Sequence, residues 1–159
     1  MKVIRKVEKN VKHFQIGDQI KVGRYTATAV QKAEDGMIFC LDQVYGERPV
    51  KQEKITNKLK SLINSQAFKA YKEFLVPFES DADGNEFYFR LPSITELYSD
   101  LKENPWEYIK KDKTSLYFYG QDIFGNARDY WSAGDITSLV TESEEEALFI
   151  RPVFKLREG

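Results

Sequence analysis

The sequence predicts an α+β fold: a single domain, residues 1–159, with an antiparallel sheet and flanking helices. Three observations carry that expectation. Short runs rich in β-branched and aromatic residues open and close the chain. Residues 52–75 between them change to a helical period. Ser93 and Glu96 then form a helix-starting capping box directly after a strand-like run. One domain is the prior for 159 residues, and a chain of that length buries roughly 68–70% of its unfolded surface without covalent staples.

In chain order, "KVIRKV" alternates apolar and charged residues, and "QIKVG" and "RYTATAVQKA" follow the turn residues Gly17, Asp18 and Gly23. "EDG" then joins "RYTATAVQKA" to "MIFCLDQVY". That is a hairpin signal, with Gly36 taking the positive φ of the turn. The almost continuous apolar run "MIFCLD" predicts a central strand. Cys40, the only cysteine, falls inside it and reads as a small buried hydrophobe. His13, the only histidine, reads as a strand residue.

Ile55, Leu59, Leu62 and Ile63 fall on one helical face, with Lys54, Lys58, Lys60 and Lys69 off it. Asn64 and Ser65 break the pattern, and a second helix would carry Phe68, Tyr71 and Phe74. "LVPF" reads as a short strand. "ESDADGNE" reads as a β-turn, since its likeness to a calcium loop through Asp81, Asp83 and Asn85 is poor. Gly84 stands at position four rather than six, and Pro92 stands where a bidentate Glu belongs. Ile94, Leu97, Tyr98 and Leu101 form the buried stripe of the capped helix. Trp106 anchors the connector after it. "SLYFYG", "ARDYWSAG", "ITSLV" and "ALFIRPVFKL" are four closing strands. "TESEEEA" is a loop.

Composition narrows the function classes. One cysteine excludes an intrachain disulfide and a cysteine-based zinc cluster. A single histidine restricts any Ser-His-Asp or Cys-His arrangement to His13. Asp122, Asp129 and Asp135 lie in turn-rich stretches, and no carboxylate spacing singles out an acid/base pair. No segment approaches the roughly 20 apolar residues of a membrane span, and the basic start has no apolar core of a secretory signal. The expectation is a non-enzymatic protein with no cofactor, metal or membrane contact, an enzyme with an unrecognised carboxylate site being the alternative.

Charge is bipolar along the chain. Residues 1–72 hold 15 Lys and Arg against 7 Asp and Glu, and residues 73–159 hold 9 against 18. Folding is expected to intermix the halves. Lys51, Lys54, Lys58, Lys60, Lys69 and Lys72 are candidate phosphate contacts for a nucleic acid. The aromatic share, 14%, also permits a protein-binding surface. Its candidates are Trp106, Tyr117, Tyr119, Phe124 and Tyr130, together with Glu142, Glu144, Glu145 and Glu146.

Four stretches resemble, in order, a domain family of phage and mobile-element proteins from Gram-positive bacteria. They are "FQIGDQIKVGRYTATAVQK…DGMIFCLDQ", "FRLPSITELY", "YWSAG" and "IRPVFKL". The resemblance implies a C-type lectin-like fold of the formylglycine-generating-enzyme type. It also implies a binding role toward a virion component or a host defence protein, in the bacterial cytoplasm or on the virion. The enzyme branch uses a cysteine pair, which one cysteine does not supply. The sugar-binding branch uses Glu-Pro-Asn or Gln-Pro-Asp and a later Trp-Asn-Asp, and neither is present. In this frame Arg90, Trp131 and Arg151 are structural residues. The strands bearing Trp131 and Arg151 are expected side by side, with the glutamates looped out between them.

Overall fold

The structure is a computed structural model. It describes residues 3–4, 13–80, 82–93, 96, 117–119, 130–132, 139–140 and 147–158, with side chains for 13–51, 53–80, 82–93, 96 and 149–158. The architecture is mostly antiparallel sheet with one short α-helix among the described residues.

The opening residues form four strands: β1 (Val3–Ile4), β2 (Gln19–Val22), β3 (Tyr25–Ala33) and β4 (Gly36–Leu41). β3 and β4 make the hairpin read from "EDG", with Ala33 opposite Gly36. The reason for the glycine differs from the sequence expectation. Gly36 is not among the positive-φ glycines; instead, a Cβ there would lie 2.3 Å from the carbonyl oxygen of Leu156. Close approach of a neighbouring strand, not turn geometry, requires it.

That neighbour is β13 (Val153–Leu156), which inserts between β4 and β8 (Phe89–Arg90). The first sheet runs β1-β2-β3-β4-β13-β8, so β4 is central and buried along its whole length. Phe154 sits opposite both Phe39 and Phe89. Its ring stacks on Phe39 at 5.7 Å and meets Phe68 edge-on at 5.0 Å.

"MIFCLDQVY" is two strands rather than one. The buried Asp42 accepts hydrogen bonds from Thr26 Oγ1 (2.6 Å), Thr28 Oγ1 (2.6 Å) and Gln19 Nε2 (3.0 Å). A carboxylate satisfied this fully can be buried, and the chain turns there into β5 (Tyr45–Lys51).

"ALFIRPVFKL" likewise divides, into β12 (Ala147–Ile150) and β13, which belong to different sheets. The crossing is at Arg151 and Pro152. Pro152 has no N–H to give a ladder, so it falls just before a strand. Arg151 is fully buried, and its Nε donates to the Leu41 carbonyl at 2.6 Å. The Leu41 N–H donates to the Pro152 carbonyl at 3.0 Å. One residue at the end of the central strand, Leu41, is thus held through both its N–H and its carbonyl by the crossing.

The second sheet runs β11-β10-β9-β12-β5, where β9 is Tyr117–Tyr119, β10 is Tyr130–Ser132 and β11 is Leu139–Val140. β9 pairs parallel to β12 through Phe118 and Phe149. It therefore separates the strand bearing Trp131 from β12, and the expected side-by-side pairing does not form.

The helix α1 (Ile55–Ser61) packs against β5 and β8 and tightens into a 3-10 turn at Leu62–Asn64. Ile55 and Leu62 are buried, while Leu59 and Ile63 pack on the core's margin. Burying a side chain of this size stabilises by about 1.5–3 kcal/mol. The break at Ser65 occurs, but in place of a second α-helix Phe68 precedes a 3-10 turn, Lys69–Tyr71, that carries Tyr71.

"LVPF" forms no strand beyond a single bridge from Leu75 to Leu156. The polar loop instead joins a two-stranded hairpin, β6 (Glu79–Ser80) and β7 (Glu86–Phe87), with Gly84 at φ 82°. The residues predicted as a capped helix after Ser93 lie outside the described ones except Glu96. Glu96 Oε1 accepts the Ser93 N–H at 2.9 Å, as a capping box requires.

Candidate functional site: a basic groove on an edge strand

Among the described residues β5 is the edge of the second sheet and pairs only with β12, placing Ala147 opposite Lys51 and Leu148 opposite Val50. An edge strand leaves backbone groups unpaired and invites pairing with other chains. β5 meets that hazard with Arg48, Pro49 and Lys51, all exposed. Its start is set by Gly46, at φ 85°, whose N–H donates to the Tyr25 hydroxyl at 2.8 Å.

α1 lies beside this edge, and an open groove of about 800 Å³ runs between them. Arg48 and Lys51 line it from β5; Lys54 lines it from the cap of α1, just before Ile55, and Lys58 from the helix itself. Their spacing follows from the helix itself. Ile55 and Leu62 turn inward, so Lys54 and Lys58, one turn apart, fall on the flank facing β5. Lys58 Nζ lies 5.7 Å from the centre of the Tyr45 ring. That ring in turn packs on Tyr25 at 5.4 Å and on Phe68 at 6.4 Å.

The groove has one acid among its lining residues, Glu47, and Arg24 Nη1 holds it at 3.1 Å. Among the described residues none of Arg48, Lys51, Lys54 and Lys58 is in an ion pair. Four exposed cations in no ion pair among the described residues make a local positive field, which long-range attraction can use.

The structure therefore divides the lysines that the sequence put together. Lys51, Lys54 and Lys58 share the groove. Lys60 lies on the other flank of α1, its Nζ 5.3 Å from the Phe87 ring centre. Lys69 is exposed on the 3-10 turn, and Lys72 Nζ donates to Asn64 Oδ1 at 3.1 Å. Arg48 was not among the sequence candidates. "GERPVK" has no apolar/polar alternation to mark a strand there, and Glu47, Arg48 and Pro49 are all exposed.

Of the aromatic and acidic candidates, Trp106, Phe124, Glu142, Glu144, Glu145 and Glu146 lie outside the described residues, as does Asp81 of the calcium-like loop. Tyr117, Tyr119, Tyr130 and Trp131 are described as strand positions. Tyr119 stands opposite Tyr130, and Tyr117 opposite Ser132.

Arg90 Nη1 and Nη2 each reach a Glu96 carboxylate oxygen at 2.8 Å, and Nη1 also donates to the Leu91 carbonyl at 3.0 Å. This bidentate pair ties the end of β8 to the capping box. His13 is exposed and lies in a bend rather than a strand; its Nδ1 is 3.0 Å from Glu158. Cys40 is fully buried, and burial pushes its thiol up to about 12. It is therefore protonated and inert at neutral pH. Among the described residues no group of three or more His, Cys, Asp or Glu is placed to hold a metal ion. No helix there is long and apolar enough to cross a membrane.

No protein-family model matches the chain, and no curated protein and no solved structure matches it.

Proposed function

We propose that the chain is a non-enzymatic binding module that takes the phosphate backbone of a nucleic acid in the groove between β5 and α1. The observation that carries this reading is the convergence of Arg48, Lys51, Lys54 and Lys58 on one groove, none of them in an ion pair among the described residues. Three of the four are lysines, which act as point charges rather than bidentate readers. Tyr45 is packed against Tyr25 and Phe68, so its ring is not a free stacking platform. Contacts of this kind position a backbone without reading sequence.

The test is fluorescence anisotropy with labelled single-stranded and duplex oligonucleotides across a salt series. Four phosphate contacts give a log–log salt slope of about −2.8 on single strands and −3.6 on duplex. Affinity should then drop about 50- to 150-fold between about 50 and 200 mM salt. Lys54→Glu with Lys58→Glu should abolish binding while leaving the fold intact, because both side chains are exposed. No complex at low salt, or binding untouched by the double variant, would refute the reading.

A second reading keeps a protein partner, a virion component or a host defence protein, within a lectin-like module of phage or mobile-element origin. The four-stretch sequence resemblance supports it. So does the register of β9 and β10, which puts the positions of Tyr117, Tyr119 and Tyr130 on one face of neighbouring strands. Capture of one specific host or virion protein, lost on Tyr119→Ala and Tyr130→Ala but not on the lysine changes, would favour this surface over the groove.

A further inference from the structure

The other flank of α1 carries a second recess of different chemistry. It is a cleft of about 420 Å³ between the helix and the β6–β8 segment. That volume lies within the ordinary range of small-ligand sites, about 300–1,000 Å³. Its floor is apolar: Ile55, Phe89 and Leu91 are buried, and Leu59 and Ile63 are partly so. Its two lips are oppositely charged. Lys60 stands on the helix side, beside the Phe87 ring. Glu79 and Glu86 stand on the hairpin side, and Glu86 accepts a hydrogen bond from the Tyr88 hydroxyl.

We propose that this cleft binds a small zwitterion with an apolar body, of the chemistry of a free apolar α-amino acid. The charge arrangement selects that class. A carboxylate meets Lys60, an ammonium meets the hairpin carboxylates, and the apolar side chain, branching from the same carbon, reaches down onto the floor. Arg90 also lines the cleft, but both its terminal nitrogens are occupied by the Glu96 carboxylate, so it is not the anion's partner. Lys60 and Glu79 are in no ion pair with each other or with any described residue, so their charges are available to a ligand.

The walls are held in advance of binding. The Phe78 N–H donates to the Phe87 carbonyl at 2.8 Å, closing the hairpin. The Phe78 ring lies 4.9 Å from the Arg90 guanidinium and 5.2 Å from Lys155 Nζ, which fixes the hairpin to the first sheet. Preorganised walls spare a ligand the cost of ordering them. The proposal does not depend on the nucleic-acid reading, since the two recesses share no lining residue.

The experiment is an amide-shift titration of the isotopically labelled full chain. The probes are L-phenylalanine, phenethylamine (no carboxylate) and N-acetyl-L-phenylalanine (no ammonium). L-phenylalanine should give saturable shifts centred on Leu59, Phe87 and Leu91. Each analogue should bind about fivefold more weakly, the size of one exposed ion pair. Lys60→Gln, on the exposed side of the helix, should weaken L-phenylalanine by a similar factor and leave phenethylamine unchanged. A purely structural role for Lys60 would not produce that selectivity. No saturable shift with L-phenylalanine, equal affinity for all three probes, or indifference to Lys60→Gln would each overturn the proposal.

Discussion

β4 and β5 follow one another in the chain, separated only by residues 42–44, yet they do opposite things. β4 is buried at every position and flanked by β3 and β13. β5 has its middle residues exposed, among the described residues a neighbour on one side only, and Glu47, Arg48 and Pro49 where β4 has Ile38, Phe39 and Cys40. The difference is one of sheet position. A central strand has both edges paired and both faces covered, so apolar side chains lower its free energy. An edge strand keeps one row of backbone groups open to solvent, so charge and proline guard it. In this chain the guard residues of β5 also line the groove, and a feature that keeps an edge from aggregating becomes available for binding.

The comparison breaks most visibly under truncation. Phe39 is fully buried, with rings of Phe14 at 5.0 Å and Phe154 at 5.7 Å. Phe39→Ala in β4 should cost about 3–5 kcal/mol in urea unfolding. Arg48→Ala in β5 should stay within about 0.5 kcal/mol, while lowering oligonucleotide affinity and flattening the salt slope by about one unit. Similar stability losses for the two would mean that β5 is structural and that its cations are incidental.

Each strand also carries a glycine, for a different reason. Gly36 in β4 has no room for a Cβ, because the Leu156 carbonyl stands in its place. Gly46 in β5 has open space around it but φ 85°. Gly36→Ala should therefore cost about 1–3 kcal/mol through overpacking. Gly46→Asn should cost under about 1 kcal/mol, because Asn tolerates the left-handed region. The reverse order of costs would show that the close contact of β4 with β13 relaxes freely.

Much of the fold was legible because local signals and tertiary position agreed. The apolar run around Phe39 read as a central strand, and the Ile55, Leu59, Leu62, Ile63 spacing read as a helix face packed on the core. Legibility failed where a strand changes sheet. "ALFIRPVFKL" is apolar on both sides of Arg151, so nothing local separates β12 from β13 except Pro152. The buried Asp42 is similar. Its three side-chain donors come from β2 and β3, a constellation that exists only after folding. The groove was half legible for the same reason. Lys54 and Lys58 share a helix flank by spacing alone, but joining Lys51 and Arg48 to them requires knowing that β5 is an edge. The cleft on the other flank had no sequence signal, since its lips come from segments that meet only in the folded chain.

The smallest of these effects also separates the two strands, through pH. Burial raises the Cys40 thiol in β4 from 9.0 to about 12, so the folded chain keeps a proton that the unfolded chain releases in that interval. The contribution is fully present below pH 9 and is lost as pH rises toward 12. The slope is at most about 1.4 kcal/mol per pH unit. Burial also raises Tyr71, which adds in the same direction above pH 10. From about pH 8 to about pH 10, the wild-type chain should lose about 1 kcal/mol that Cys40→Ala does not lose. β5 holds no buried ionisable side chain. Parallel limbs for wild type and Cys40→Ala would mean that the centre of β4 admits water, and that the contrast between the strands is weaker than their burial implies.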